Sequence, residues 1–184
     1  AELALAPAGG QVATGESVTY GVVADVDGGV GSYGLNVTVD DPGTATIVGV
    51  TNRIGGTTRT SVGDATARIA AVGGDTADDG SDVVVATVTV RAEATGSTGL
   101  SLDPASLSDE DGDRYRVTEA DGATLDVTET GPTIGASDAP AGDPDGDGVY
   151  EDVNGDGEVT PGDATVLVDA LHGGDPAGVT NPEA

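Results

Sequence analysis

Apolar residues alternate with small or polar ones through most of the first 129 residues, and that period of two constrains the fold more than any other feature of the chain. Val18, Tyr20, Val22, Ala24 and Val26 alternate with Thr19, Gly21 and Asp25; Tyr33, Leu35, Val37 and Val39 alternate with Asn36, Thr38 and Asp40. Val84, Ala86, Val88 and Val90 alternate in the same way with Thr87, Thr89 and Arg91. Successive side chains of a strand leave opposite faces, so each run reads as a strand with one face buried and one face wet. Shorter stretches of the same kind, at 2–6, 44–50, 66–72, 99–103, 115–117 and 123–128, bring the expected count to about nine strands. Gly, Asp and Pro punctuate them, and no segment before Thr160 carries a helical period.

The expected architecture is therefore an all-β antiparallel sandwich of the jelly-roll or immunoglobulin-like kind over 1–129. With four Tyr and no Phe or Trp, its core has to be built mostly from Val, Leu, Ile and Ala. The charge balance adds a second constraint: 33 acids face six bases, all of them Arg, for a formal net charge of -27. Such a surface excludes nucleic acid as a partner, because binding its phosphates requires basic groups. In dilute buffer it repels itself, whereas in molar salt the Debye length falls to about 3 Å and the repulsion is screened. This is the composition expected of a halophilic protein. High charge also accompanies disorder, but disordered chains lack the alternating Val-rich runs seen here. There is no Cys, so no disulfide framework, and no Met. The start at Ala1-Glu2-Leu3 suggests a mature chain whose leader peptide has been removed, and the expectation is a secreted, extracellular or cell-surface protein with no apolar run long enough to span a membrane.

A different pattern begins at Asp143. Counted from Asp152 as position 1, Asn154 falls at 3, Asp156 at 5, Gly157 at 6, Glu158 at 7, Thr160 at 9 and Asp163 at 12, the ligand spacing of an EF-hand calcium loop with Asp in place of the usual Glu at 12. A hard divalent cation takes six to eight oxygens, and alternate residues of a tight loop can turn theirs inward. Glu158 would contribute its backbone carbonyl. A weaker overlapping frame starts at Asp143, with Asp145, Asp147, Gly148, Val149 and Asn154 in the corresponding places. Asn154 cannot chelate through two carboxylate oxygens, so this second site would borrow Asp152. One or two Ca2+ ions are expected.

Thr160, Pro161 and Asp163 spell a helix start, with Thr as N-cap and Pro pre-set at the first helical position. Ala164, Leu167, Val168 and Leu171 then form one apolar stripe, Thr165 and Asp169 face away, and Gly173-Gly174 ends the helix. A calcium loop followed by one short apolar-faced helix resembles the repeat of dockerin modules, the calcium-dependent anchoring domains that bind cohesins. Dockerins normally carry two such repeats; here one full repeat, within 143–174, follows a half that has no helix. The stripe is the implied partner-binding face.

The first 129 residues carry a second resemblance. Leu3-x-Leu5-x-Pro7, Gly15-Glu16-Ser17-Val18-Thr19, Gly31-Ser32-Tyr33-Gly34-Leu35-Asn36-Val37, Ala67-Arg68-Ile69-Ala70 and Val85-Ala86-Thr87-Val88-Thr89-Val90 occur in that order and resemble a cohesin domain. Cohesins are nine-stranded jelly rolls, one sheet face of which receives dockerin. Residues 130–142, rich in Pro, Gly and small polar residues, are expected to be a linker, and 175–184 an aperiodic tail.

Catalytic chemistry finds little support. The single His172 falls in the last turn of the expected helix, a capping position, and no Cys can act as a nucleophile. Carboxylate pairs arise by chance among so many acids. Asn36-Val37-Thr38 is an N-glycosylation acceptor whose alternation places Asn36 on the outer face. The resulting expectation is a non-enzymatic extracellular structural or adhesion protein. Its dockerin-like module would dock in a calcium-dependent manner onto a cohesin-like sandwich: either that of its own chain, folded back through the 130–142 linker into a closed monomer, or, the favoured geometry, that of other copies of itself, head to tail into filaments. The alternative is a scaffold or carbohydrate-binding appendage of a larger secreted enzyme. The glycan-binding form of that alternative calls for a row of exposed aromatics, whereas Tyr20 and Tyr33 alternate inward and Tyr115 and Tyr150 stand apart.

Overall fold

The computed structural model describes residues 1–76, 82–129, 131–135, 139–144 and 149–173. The chain divides into two compact units, Ala1–Glu129 and Thr130–Ala184.

The first unit is a sandwich of eleven strands: β1 (Glu2–Ala6), β2 (Gly9–Ala13), β3 (Ser17–Asp25), β4 (Ser32–Val39), β5 (Ala45–Asn52), β6 (Thr57–Val62), β7 (Thr66–Val72), β8 (Val83–Ala92), β9 (Gly96–Ser108), β10 (Glu119–Asp121) and β11 (Ala123–Thr128). One sheet has the order β10-β1-β3-β8-β5 and the other β2-β11-β9-β4-β7-β6. Most pairings are antiparallel, but β1 runs parallel to β10 and β2 parallel to β11. β1 and β2 are consecutive yet belong to different sheets, so the first 13 residues contribute a strand to each layer, β2 at the edge of its sheet and β1 between β10 and β3.

The alternation read from the sequence is the alternation of burial. In β4, Tyr33, Leu35, Val37 and Val39 are buried and the residues between them are half-exposed. β3 and β8 do the same from the facing sheet with Tyr20, Val22, Ala24, Val88 and Val90. Ile69, Leu100, Leu107 and Leu125 complete one continuous core. Burying a Val or Leu side chain fully contributes about 1.5–3 kcal/mol each, which is how a core almost without aromatics can hold a domain of this size. The two large buried side chains keep their hydroxyls satisfied: Tyr33 donates to Asn52 Oδ1 at 2.9 Å, and Tyr20 reaches the Thr124 carbonyl at 3.5 Å.

Two expectations are corrected. Among the described residues the strand count is eleven rather than about nine. β2, with the sequence Gly-Gly-Gln-Val-Ala, has no alternation to reveal it and exists because β11 offers it a parallel partner. β6 is exposed at every position and is held by its pairing with β7 instead of by burial. Residues 115–117 are not a strand. The Tyr115 N–H donates to the Leu107 carbonyl at 3.0 Å, and its hydroxyl crosses to the Gly29 carbonyl at 3.0 Å, so this stretch clamps a turn. The short strand β10 follows it.

In the second unit the helix α1 spans Pro161–Gly173. The segment 130–142 has ordered pairings of its own: Thr133 bridges Pro140, the Ala141 N–H donates to the Pro132 carbonyl at 3.0 Å, and Gly142 bridges Asp152. Ala141 and Val153 are buried. A Cβ added at Gly135 would lie 3.1 Å from the Ala170 Cβ, so this segment passes against the helix at a residue with no side chain. Val166 and Ala170, together with buried Asp163, are the less exposed positions of α1.

Candidate functional site

The loop from Asp152 to Asp163 is wound by its own side chains. Asp152 Oδ1 accepts the Asp156 N–H at 3.1 Å and Oδ2 accepts the Gly157 N–H at 2.8 Å. Asn154 Oδ1 accepts the Asp156 N–H at 2.9 Å, and Asp156 Oδ1 accepts the Glu158 N–H at 3.0 Å. From the far end, Asp163 Oδ1 accepts the Asn154 N–H at 3.2 Å and Oδ2 the Thr160 N–H at 2.7 Å. Gly155 and Gly157 both have positive φ, at 70° and 88°, where an L side chain is strained, so the two glycines permit the bends between the acidic positions.

Asp163 also starts the helix. The Thr160 hydroxyl accepts the Gly162 N–H at 3.1 Å while Asp163 reaches back to the Thr160 N–H, a reciprocal capping box with Asp as the third helical residue. The backbone N–H of Thr160, acting against burial and aided by that of Asn154, holds the Asp163 carboxyl below the usual carboxylate range.

Asp152 and Asp163 are each 3% exposed. Two buried carboxylates at opposite ends of one loop, in a region whose sequence after Arg116 has no Lys or Arg, form a donor set suited to a hard cation. Among the described residues no three Asp, Glu, His or Cys side chains approach closely enough to hold a metal by themselves. Asn154, Asp156, the Thr160 hydroxyl and the Glu158 carbonyl would have to complete the set. Of the overlapping frame, Asp143 and Val149 are placed, Val149 with its side chain exposed; Asp145, Asp147 and Gly148 lie outside the described residues.

The apolar stripe of α1 is open. Leu167 is 40% exposed, Val168 50% and Leu171 72%, and Ala164 is exposed as well. The helix contacts its own unit through the neighbouring 163, 166 and 170 positions, a second face that the apolar spacing had not singled out. His172 Nδ1 donates to the Val168 carbonyl at 2.8 Å, the helix-end role expected of it.

On the sandwich, the outer face of the six-stranded sheet carries small side chains: Ser32, Gly34, Asn36 and Thr38 from β4, flanked in register by Ser101, Asp103 and Ser106 of β9 and by Thr66, Arg68 and Ala70 of β7. A groove of about 290 Å³ runs across it, lined by Gly34, Asn36, Arg59, Ser61, Arg68 and Ala105. Register places Arg68 beside Asn36 on one side and Ser61 on the other, with Arg59 opposite Ala70. That Arg59 and Arg68 share one groove follows from the β6–β7 pairing, which no alternation in β6 announced.

No protein-family model matches the chain, and no curated protein matches it. Solved structures do. A non-cellulosomal cohesin from the hyperthermophilic archaeon Archaeoglobus fulgidus aligns with a TM-score of 0.55 at 16% identity, over 69% of this chain and 90% of that one. The seventh ScaB type I cohesin from Pseudobacteroides cellulosolvens gives 0.55 at 15% identity, over 71% and 94%. A chain of a type I cohesin–dockerin complex from Clostridium thermocellum, Coh-OlpA-Doc918, gives 0.56 at 12% identity, over 69% and 98%. The share of this chain that is covered corresponds to the size of the 1–129 unit, and the two-sheet sandwich of that unit has the cohesin fold.

Proposed function

We propose that this chain is a docking protein with no catalytic role, in which the sandwich receives a loop-helix module of the kind its own C-terminal unit provides. The observation that carries the reading is the open stripe on α1: Leu167, Val168 and Leu171 are exposed on a helix of 13 residues, a length at which an isolated helix is marginal in water. A partner surface that covers the stripe would stabilise helix and contact together. The cohesin fold of the sandwich and the cohesin–dockerin complex among its structural relatives support a protein as that partner.

The occupant we propose for the sandwich is the C-terminal unit of a second copy. The outer face of the six-stranded sheet offers a flat surface of small side chains with Arg59 and Arg68 beside its groove, while residues 117–184 contain no Lys or Arg. Opposite charge favours the encounter, modestly, because salt screens exposed pairs. Calcium in the Asp152 loop, and a second ion in the Asp143 frame, would fix the loop whose last ligand, Asp163, is also the helix cap. We place the protein outside the cell or at its surface, as a structural or adhesion component; no helix among the described residues is long and apolar enough to cross a membrane.

Sedimentation velocity in molar salt tests the reading. Addition of calcium is expected to move the chain from a single-copy boundary to faster ones, and a chelator or the Leu167→Asp substitution to return it. Identical sedimentation with calcium, with chelator and with Leu167→Asp would overturn it.

A further inference from the structure

Asn36 stands where a modification and a docked partner would compete. It opens the acceptor triplet Asn36-Val37-Thr38, and the strand sends Asn36 and Thr38 outward while Val37 between them is buried. β4 is an inner strand, paired with β9 on one side and β7 on the other, so Asn36 lies in the middle of the face and not at its rim. Its in-register neighbours are Asp103 and Arg68. Nδ2 donates one hydrogen bond to Asp103 Oδ2, at 3.3 Å. Gly34, the next outward residue along β4, and Ala105 keep the groove at Asn36 open.

We propose that Asn36 is the control point of this face: N-glycosylated, the face is closed to its protein partner; unmodified, it is open. This rests on the docking reading above. In the transfer, Asn36 Nδ2 forms a bond to the anomeric carbon of a sugar carried on a lipid phosphate. The bond from that carbon to the phosphate oxygen breaks, the phosphate leaves with the electron pair, and one Nδ2 proton passes to a base of the transferase. The linked amide keeps one N–H, enough to retain the Asp103 hydrogen bond, so the modification changes the surface and leaves the β4–β9 pairing in place. A sugar rooted there rises from the centre of the face and covers Arg68 and the groove. Because the acceptor sits within a hydrogen-bonded sheet, the transferase has to reach it before the strand pairs. The modification therefore divides the chains at synthesis into a closed and an open population.

The experiment uses full-length chains from the organism that makes them. Mass spectrometry of the peptide containing Asn36 is combined with sedimentation in molar salt and calcium, for wild type separated by glycosylation state and for Asn36→Gln and Thr38→Ala made in the same cells. Thr38→Ala removes the acceptor triplet but leaves the Asn36 side chain and its Asp103 bond. The expected result is a sugar mass on that peptide in part of the wild-type chains and in neither variant, with glycosylated wild-type chains remaining single and unglycosylated wild-type chains assembling; the two variants, whose side chains belong to the face, identify the modified residue only. The absence of sugar on the peptide, or assembly of glycosylated wild-type chains to the same extent as unglycosylated ones, overturns the proposal. If sugar is present and no form assembles, the docking reading falls instead, and the control function falls with it.

Discussion

Two carboxylates, Asp41 and Asp163, do comparable work at turns in different units. Asp41 accepts the Thr44 hydroxyl at 2.8 Å and the Gly43 N–H at 2.9 Å, and these bonds hold its carboxyl below the ordinary value of 3.8. Asp163 is lowered in the same direction by the Thr160 N–H. A carboxyl whose folded pKa lies below its unfolded one contributes stability that is complete above the unfolded value and is lost as pH falls through the folded one. Molar salt screens the general repulsion of a chain at -27 and leaves this local effect visible. In molar salt, the melting temperature of Asp41→Asn should lie below wild type near neutral pH, and the gap should narrow as pH falls past the ordinary value of 3.8 and close below the lowered folded one. A gap that stays constant on acidification would show that the ionised Asp41 is not what the turn depends on. Of these two residues only Asp163 was legible in the sequence, because Thr160-Pro161-x-Asp163 spells a cap; Asp41 is one Asp among many until Thr44 is seen to fold back onto it.

At the scale of elements, what the sequence revealed depended on whether burial made the element. β3, β4 and β8 are strands because one face is covered, and the covering imprints a period of two. β2 and β6 are strands because a neighbour offers hydrogen bonds, and hydrogen bonding leaves no hydrophobic signature. The helix was legible from its cap and its apolar spacing. The face it packs within its unit was not, because contact with Gly135 depends on the path of a Pro- and Gly-rich segment that carries no period. The loop was legible residue by residue: the hydrogen bonds gather Asp152, Asn154, Asp156, Thr160 and Asp163, all five of which the spacing had named. If calcium holds that loop, removing it leaves Asp152 and Asp163 buried without a counter-charge, and the helix loses the cap that depends on Asp163. Titration calorimetry should then show one fewer calcium bound in Asp152→Ala and in Asp156→Ala. Far-ultraviolet circular dichroism should show loss of the helical signal of wild type on chelation, with the β signal unchanged. Unaltered stoichiometry in both variants would remove the metal from this loop.

For the whole molecule, charge and asymmetry give two expectations. The first is salt dependence: with -27 on 184 residues and no Lys, the sandwich should lose melting temperature as salt is lowered from molar to dilute, with calcium restoring only part of the loss. Equal melting temperatures at the two extremes would separate the composition from any need for salt. The second concerns the form of the assembly. Under the docking reading the donor is α1 and the receptor is the outer sheet face, two different surfaces of one chain. A contact between unlike surfaces is heterologous: each copy that receives a helix still has its own to offer, so association continues into an open filament unless the rotation per step closes a ring. A two-fold dimer would need each contact to be repaid by its mirror, which a single donor and a single receptor permit only as a mutual exchange between two copies. Electron microscopy in molar salt with calcium distinguishes these forms: linear head-to-tail filaments are expected, shortened by Leu167→Asp, and by Arg59→Glu with Arg68→Glu if the groove is the receptor. Uniform two-copy particles would replace the filament with mutual exchange, and single particles unaffected by Leu167→Asp would leave the exposed stripe without the partner proposed for it.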